Sequence, residues 1–269
     1  MIRHDNSVFD ADKYVSVVRE AQGQAWSRFL PSPSVNLAET RVLGRMRSSL
    51  DQRQFSSILV VGAGRQRDWL DALLKGGIKR KIIYSDIDVA ADVDLFCDGH
   101  ELPFVDASFD AVVTTAVLEH VLYPEQVASE INRVLKVGGL LYSEMPFMQQ
   151  VHEGAYDFTR YTLSGHRRLF NGFEEIEAGM VAGPGTALVW SIEGFVQAFF
   201  SGRRLTRIAK ASSRLCFFWL KYFDYLLAKR AAAMDGASCT YFFGKKIEGH
   251  VPDEKIISRY TGAKHLRHL

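Results

Sequence analysis

The chain has 269 residues, 47% hydrophobic and 24% charged, with a net charge of +2 and no internal repeat or low-complexity segment. This is ordinary globular composition, long enough for one large domain or two small ones, and its near-neutral balance gives no reason to expect nucleic acid as a partner. Three widely spaced cysteines, Cys97, Cys216 and Cys239, argue against a disulfide framework and for a reducing compartment. The N-terminus lacks a signal-peptide core, and no uncharged apolar run reaches the ~18 residues of a membrane span, so a cytoplasmic protein is expected.

Residues 1–54 read as a helical extension: Asp12 to Phe29 has loose helical spacing, Pro31-Ser-Pro-Ser34 breaks it, and Asn36 to Leu50 is a second helix. Ser57 to Val61 is a short apolar strand ending at Gly62. Asp68 to Leu74 reads as helix, stopped by Gly76-Gly77. Lys81 to Ser85 and Phe109 to Thr115 are the next strands. Pro124 to Lys136 is the clearest helix, with proline in its first turn, apolar Val127, Ile131, Val134 and Leu135, and Gly138-Gly139 behind. Gly139 to Met145 is a strand, and Phe173 to Val181 and Ser238 to Lys245 are two more. A mostly helical insertion, about 186–234, separates the last pair, and 249–269 reads as a polar, poorly ordered tail. Strands alternating with helices predict a parallel sheet covered on both faces.

The densest chemical signal lies behind the first strand. Val60-Val-Gly62-Ala-Gly64 is a turn that lets a ligand approach the backbone. Asp86 ends the next strand about 20 residues on, where an acid accepts hydrogen bonds from ribose hydroxyls. From Tyr84 to Asp110 the chain carries eight acids and no Lys or Arg, a field suited to a cationic ligand. Most of these acids, Asp88, Asp92 and Asp94 among them, read as solvated loop residues, and Asp110 as a structural cap. The dinucleotide pattern Gly-x-Gly-x-x-Gly is broken by Arg67, which disfavours NAD.

Three motifs carry a resemblance. Asp98-Gly-His-Glu-Leu-Pro-Phe-Val-Asp-Ala-Ser-Phe-Asp110, Val117-Leu-Glu-His-Val121 and Leu135-Lys-Val-Gly-Gly139 resemble, in order and spacing over about residues 57–147, the class I S-adenosylmethionine-dependent methyltransferases, in particular the type 11 group. The resemblance implies a Rossmann-like, seven-stranded, mostly parallel sheet flanked by helices, spanning 55–248, with S-adenosyl-L-methionine as cofactor. It places Gly62, Ala63 and Gly64 against the methionine part, Asp86 with Ile87 at the ribose, Asp98 and Gly99 at the adenine, and Thr115 at the end of the neighbouring strand. Two positions depart from the family: Val60 stands where an acid is common, and Gln66 where a third glycine is.

After the fifth strand, Pro146-Phe-Met-Gln-Gln-Val-His152-Glu-Gly-Ala-Tyr-Asp157-Phe-Thr-Arg160-Tyr161-Thr concentrates polar side chains capable of chemistry. It is similar to a pattern in a bacterial subgroup linked to cell-surface polysaccharide biosynthesis, with Phe158 in place of a tyrosine. If the acceptor is a hydroxyl, a base must take its proton, and an imidazole suits that near neutral pH. His152 is the first candidate, with Asp157 to orient it or act itself. His120 competes, and reads equally as a packing residue of its turn. Arg160, with Tyr161, could bind an acidic acceptor, or Asp157 and Arg160 could simply hold the loop. No metal site is expected from the Cys and His spacing.

Arg203, Arg207, Lys210, Arg214 and Lys221 fall on one helical face, opposite many apolar residues. Such a helix, over 203–228, can lie on an anionic membrane, or pack on the domain with a solvated basic stripe. The apolar Ala187 to Phe200 could roof the acceptor pocket or form a homodimer contact. The expected activity is methyl transfer to an oxygen of a small-molecule or glycan acceptor. The alternatives are a non-catalytic adenosyl-binding module and, less favoured, an NAD-dependent oxidoreductase.

Overall fold

A computed structural model describes residues 30–52, 56–64, 67–75 and 80–263. The expected helix over Asp12 to Phe29 and the Gly76-Gly77 stop lie outside the described residues. Among those described, seven strands form one sheet in the order β3-β2-β1-β4-β5-β7-β6. They are β1 (Ser56–Val61), β2 (Arg80–Asp86), β3 (Leu95–Phe96), β4 (Phe109–Thr115), β5 (Leu135–Pro146), β6 (Phe173–Ala182) and β7 (Cys239–Lys246). All neighbouring pairs from β3 to β5 are parallel, and β7 runs antiparallel to both β5 and β6. From β1 the chain steps out to β2 and β3, then returns to β4 on β1's other side. The carboxyl ends of β1 and β4 therefore flank a crevice where strand order reverses.

Alternation along the central strands builds two cores. Ile58, Val60, Val113 and Tyr142 face one side with α1 (Glu39–Asp51) and α2 (Arg67–Leu74), which contribute Val42, Met46, Leu70 and Leu74. Leu59, Val61, Val112 and Leu141 face the other, under α3 (Pro124–Val134) and Phe170 at the end of α4 (Leu163–Leu169). The period of two in β1 and the i, i+4, i+7 spacing of Val127, Ile131 and Val134 in α3 meet at one interface. Asn36 starts α1: its Oδ1 accepts from the backbone N–H of Ala38 and Glu39.

Two boundaries differ from expectation. The α3 helix ends at Val134 rather than Lys136, because Leu135 turns extended and pairs with Phe109 of β4. A sheet partner outcompetes a helical propensity that Leu135-Lys136 satisfies equally well. The C-terminal stretch is also more ordered than a tail. It holds α9 (Asp253–Ser258), whose Lys255, with Arg259 just beyond it, pairs with Glu174 of β6, while the Tyr260 hydroxyl reaches Asp235.

Between β6 and β7 lies a helical layer of α5 (Pro184–Gln197), α6 (Arg203–Phe217), a 3₁₀ turn (Phe218–Tyr222), α7 (Phe223–Leu227) and α8 (Ala231–Met234). Asp224, wholly buried, ties this layer to the sheet. Its carboxylate accepts from the backbone N–H of Gly183, Gly185 and Thr186 and from the Thr186 hydroxyl, capping α5 from a distance. The expected solvated basic stripe is split: Arg203 and Arg207 are exposed, while its C-terminal end turns inward. Arg214 is buried in a two-pronged pair with Glu193 of α5, and Lys221, also buried, donates to the Ser32 carbonyl. The charged end of the stripe points inward because α5 supplies a buried acid; the apolar residues opposite point outward.

Candidate cofactor and acceptor site

The glycine turn leaves β1 in left-handed backbone, with φ of +70° at Gly62 and +53° at Gly64. A Cβ on Gly62 would sit 2.1 Å from Val117 Cγ2, so this glycine lets the turn after β1 and the turn after β4 touch. Among the described residues, nothing lies within 4 Å of where a Cβ on Gly64 would stand. The N–H groups of Gly62 and Ala63 donate to the Ser85 carbonyl, and that of Gly64 donates to Asp86 Oδ2 at 2.7 Å. Asp86 Oδ1 accepts from the Asp88 N–H, which fixes the carboxylate at the tip of β2. Each carboxylate oxygen keeps a second lone pair for a ligand hydroxyl. Ile87 follows, half-buried, beside it.

Asp98 lies beyond β3. Its Oδ1 accepts from the His100 N–H at 2.9 Å and faces His100 Nδ1 at 2.6 Å. A Cβ built on Gly99 would stand at ordinary contact distance from Val127 and Val61, so the 98–99 turn sits on the core beside the glycine turn. The rest of the acidic stretch is used internally. Asp94 accepts from Arg67 and from the Tyr84 N–H, Asp88 accepts from the Ala90 N–H, and Asp106 pairs with Arg133. Asp110 is the structural cap the sequence suggested, accepting from the Ser57 N–H and hydroxyl and from Lys136. Burial alone would raise its carboxyl, but Ser57 and Lys136 hold it below the usual range.

At the end of β4, Thr115 pairs with Glu144 of β5, and Ala116 takes φ +54°, a strained setting for a residue with a Cβ. That kink delivers Val117 to Gly62 and turns Glu119 and His120 toward the next loop. Glu119 is the residue that sequence reasoning passed over. It is buried; among the described residues neither carboxylate oxygen has a hydrogen-bond partner, His120 Nε2 lying 3.6 Å from Oε1, and burial pushes its pKa up to about 7. Its backbone carbonyl accepts from the N–H of Phe158 at 2.8 Å, pinning the loop after β5 to the turn after β4. Nothing in the Leu-Glu-His motif distinguishes an orphaned carboxylate from an ordinary turn acid. Glu144 and Glu39 form a buried acidic pair nearby, both raised by burial.

The pinned loop brings His152 to His120, ring centroids 4.8 Å apart and edge to face. His120 Nδ1 lies 2.7 Å from the Tyr156 carbonyl, to which it donates, and burial lowers its pKa. Asp157 stands 3.3 Å from His152 Nδ1 and accepts from the His152 N–H at 2.9 Å. Burial would raise the Asp157 carboxyl, yet the Arg160 fork and the His152 amide hold it at about 2. Arg160 spends its donors on the loop: both terminal nitrogens on Asp157, and the guanidinium on the carbonyls of Gln149, Thr159 and Gln150. It is a clamp, and the fork that could have met an anionic acceptor is engaged. Tyr161 turns away, its hydroxyl donating to Glu125, into a groove of about 790 Å³ between α3 and α4 that includes none of the other residues of this site. One donor atom each from Glu119, His120 and His152 lie within 4.8 Å of one another, a set that could hold a divalent ion.

The space over Gly64 left by the described residues, the fixed Asp86 carboxylate at the tip of β2 and a second acid by the 98–99 turn are a set that could hold an adenosyl ligand across the β1–β4 crevice. Residues 61–143 match the family model described as a methyltransferase domain. No curated protein matches the chain. Among solved structures, similarity extends to a candidate sarcosine dimethylglycine methyltransferase of Galdieria sulphuraria, 14% identical over 89% of this chain and 99% of that one, TM-score 0.49. It also extends to a candidate Haloferax volcanii methyltransferase solved with its Trm112 activator, 18% identical over 76% and 95%, TM-score 0.45. A third is a Haemonchus contortus phosphoethanolamine N-methyltransferase solved with S-adenosylhomocysteine, 14% identical over 76% and 53%, TM-score 0.45. None reaches a TM-score of 0.5, too low to speak for acceptor or mechanism.

Proposed function

We propose that the protein transfers the methyl group of S-adenosylmethionine to an oxygen of a small-molecule or glycan acceptor that enters beside the 147–160 loop. Bound in the crevice, the cofactor supplies an electrophilic methyl on a sulfonium. The chain's own residues bind, orient and deprotonate. Asp86 accepts from the ribose hydroxyls, with Ile87 lining that end. Asp98 and the Gly99 backbone face the adenine, and Gly62, Ala63, Gly64 and Thr115 border the methionine end. His152, with Asp157 at its Nδ1, takes the acceptor proton on Nε2, and His120 beside it shapes the acceptor's seat. Arg160 holds the loop so that this pair does not drift, since small misplacements at a reacting centre cost much of the rate.

The observation that carries the reading is the hydrogen bond from the Phe158 N–H to the Glu119 carbonyl. It joins the loop bearing His152 and Asp157 to the turn after β4, next to the crevice whose glycine turn and acids suit the cofactor. Calorimetry with S-adenosylmethionine and S-adenosylhomocysteine tests the binding half. Asp86→Ala is expected to weaken both by about 1–3 kcal/mol, the cost of unpairing buried polar groups. An unchanged affinity would move the ribose partner elsewhere. His152→Ala is expected to lower the formation of S-adenosylhomocysteine in the presence of sugar-hydroxyl acceptors at least about 100-fold while leaving cofactor affinity alone. The reverse pattern would make His152 a cofactor-site residue.

A further inference from the structure

The α5–α8 layer is built inside out for a surface helix. On α6, Ala209, Ser213 and Arg214 face the interior, while Leu205, Ile208 and Leu215 are exposed. The exposure continues on both sides. Phe195 and Phe199 on and just past α5 stack edge to face with Phe199 71% exposed, and Trp219 and Phe223 do the same before Leu226, 73% exposed. Contiguous apolar surface on this scale marks an interaction site.

Charge selects the partner. Arg203, Arg204, Arg207, Lys229 and Arg230 are exposed around these apolar side chains. Between Gly194 and Met234 the one acid is Asp224, and it is wholly buried on the N-terminus of α5. A second copy of this face would meet it with cations opposing cations and no surface acid to pair them. An anionic bilayer offers both an apolar interior for the aromatic residues and negative head groups for the arginines. No described helix is long and apolar enough to cross a membrane, so the layer would lie along it.

The layer also touches the acceptor loop. Gln150 Nε2 donates to the Ser191 hydroxyl of α5, and exposed Met148 and Val151 extend the apolar surface onto that loop. We infer that the outer face of the α5–α8 layer docks on an anionic lipid surface and presents the acceptor loop to a hydroxyl-bearing acceptor anchored in it. The second half of this inference rests on the methyl-transfer reading above.

Co-sedimentation of the full chain with phosphatidylcholine vesicles, with and without phosphatidylglycerol, tests it. The protein is expected to pellet with the anionic vesicles and to be released at high salt. Ile208→Glu with Leu215→Glu, both at exposed positions, should lower the bound fraction at constant lipid at least about tenfold, with an unchanged circular dichroism spectrum. Arg203→Glu with Arg204→Glu should remove the preference for anionic over neutral vesicles. Failure to pellet, or equal pelleting with both vesicle types, overturns the inference. So does a lipid-free dimer in sedimentation equilibrium that Ile208→Glu dissociates. S-adenosylhomocysteine calorimetry on the same preparation separates the two readings. Intact binding without vesicle association sinks the docking face alone. Vesicle association without cofactor binding sinks methyl transfer and leaves the docking face standing.

Discussion

Replacing Gly62 by alanine probes the contact that joins the two halves of the crevice. Two separate costs apply. At φ +70° an alanine takes left-handed backbone, worth about 1–2 kcal/mol. Its Cβ would also stand 2.1 Å from Val117 Cγ2 and 3.3 Å from both Val117 Cβ and Cγ1. Valine is stiff at χ1: one of its other rotamers puts the second methyl in the same place, and only the one that turns the Cβ hydrogen there clears it. Relief therefore requires that rotamer change or a shift of the strained Ala116–Val117 turn, an overpacking cost of about 1–3 kcal/mol. The total is about 2–5 kcal/mol. Gly64→Ala meets only the first cost, since nothing among the described residues lies within 4 Å of its Cβ position. Urea unfolding at constant m-value measures both. The decisive comparison is the cycle with Val117→Ala, which should make the double variant more stable than the sum of the single losses by about 1–3 kcal/mol. Equal losses for Gly62→Ala and Gly64→Ala, or an additive cycle, would refute the account of the turn as a packed contact.

Two further outcomes follow from buried carboxyls. Glu119 has a folded pKa raised to about 7, above its ordinary 4.5, so its neutral form favours the fold below about pH 4.5 and that contribution is lost as pH rises toward 7. Thermal midpoints of the cofactor-free protein should therefore fall between those values, and Glu119→Gln should flatten the slope; a Glu119→Gln profile as steep as the parent's would contradict it. Asp224→Ala leaves four donors at the start of α5 without their acceptor and should cost at least about 2–4 kcal/mol. Hydrogen exchange should accelerate in the α5–α8 layer while β1 and β4 stay protected, and uniform acceleration would show that the layer does not open as a unit.

The strands and turn around the β1–β4 crevice were legible because their signals are local. Short apolar runs, a glycine turn and an acid at the end of the next strand each read out their own neighbourhood, and β1, β2 and β4 appear within a residue of expectation. The site's other half depends on pairings that cross the chain. His152 meets His120 only because Phe158 bonds to Glu119, and an orphaned buried Glu119 looks in sequence like any turn acid. The α6 helix shows the sharpest limit. Its periodicity announces two unlike faces, but which one turns inward was decided by Glu193, 21 residues before Arg214, and no property of the helix itself encodes that. Arg160 was ambiguous for a similar reason, since a free fork and a clamp differ only in where the backbone carbonyls of Gln149 and Gln150 come to rest.

The place where the helical layer joins the sheet bears on how such proteins diversify. Ala182 and Cys239 are partners across the β6–β7 ladder, and the Ser238 N–H donates to the Ala182 carbonyl. In topology the whole layer is the loop of a β-hairpin. Lengthening a hairpin loop adds only about 0.6 kcal/mol per doubling to the cost of closing it. Descendants of one ancestral sheet can thus gain, lose or exchange everything between residues 183 and 238 without re-registering a strand. The family match over 61–143 ends well short of this segment. The helical layer can drift there as a transplantable part, while the crevice between β1 and β4 stays put.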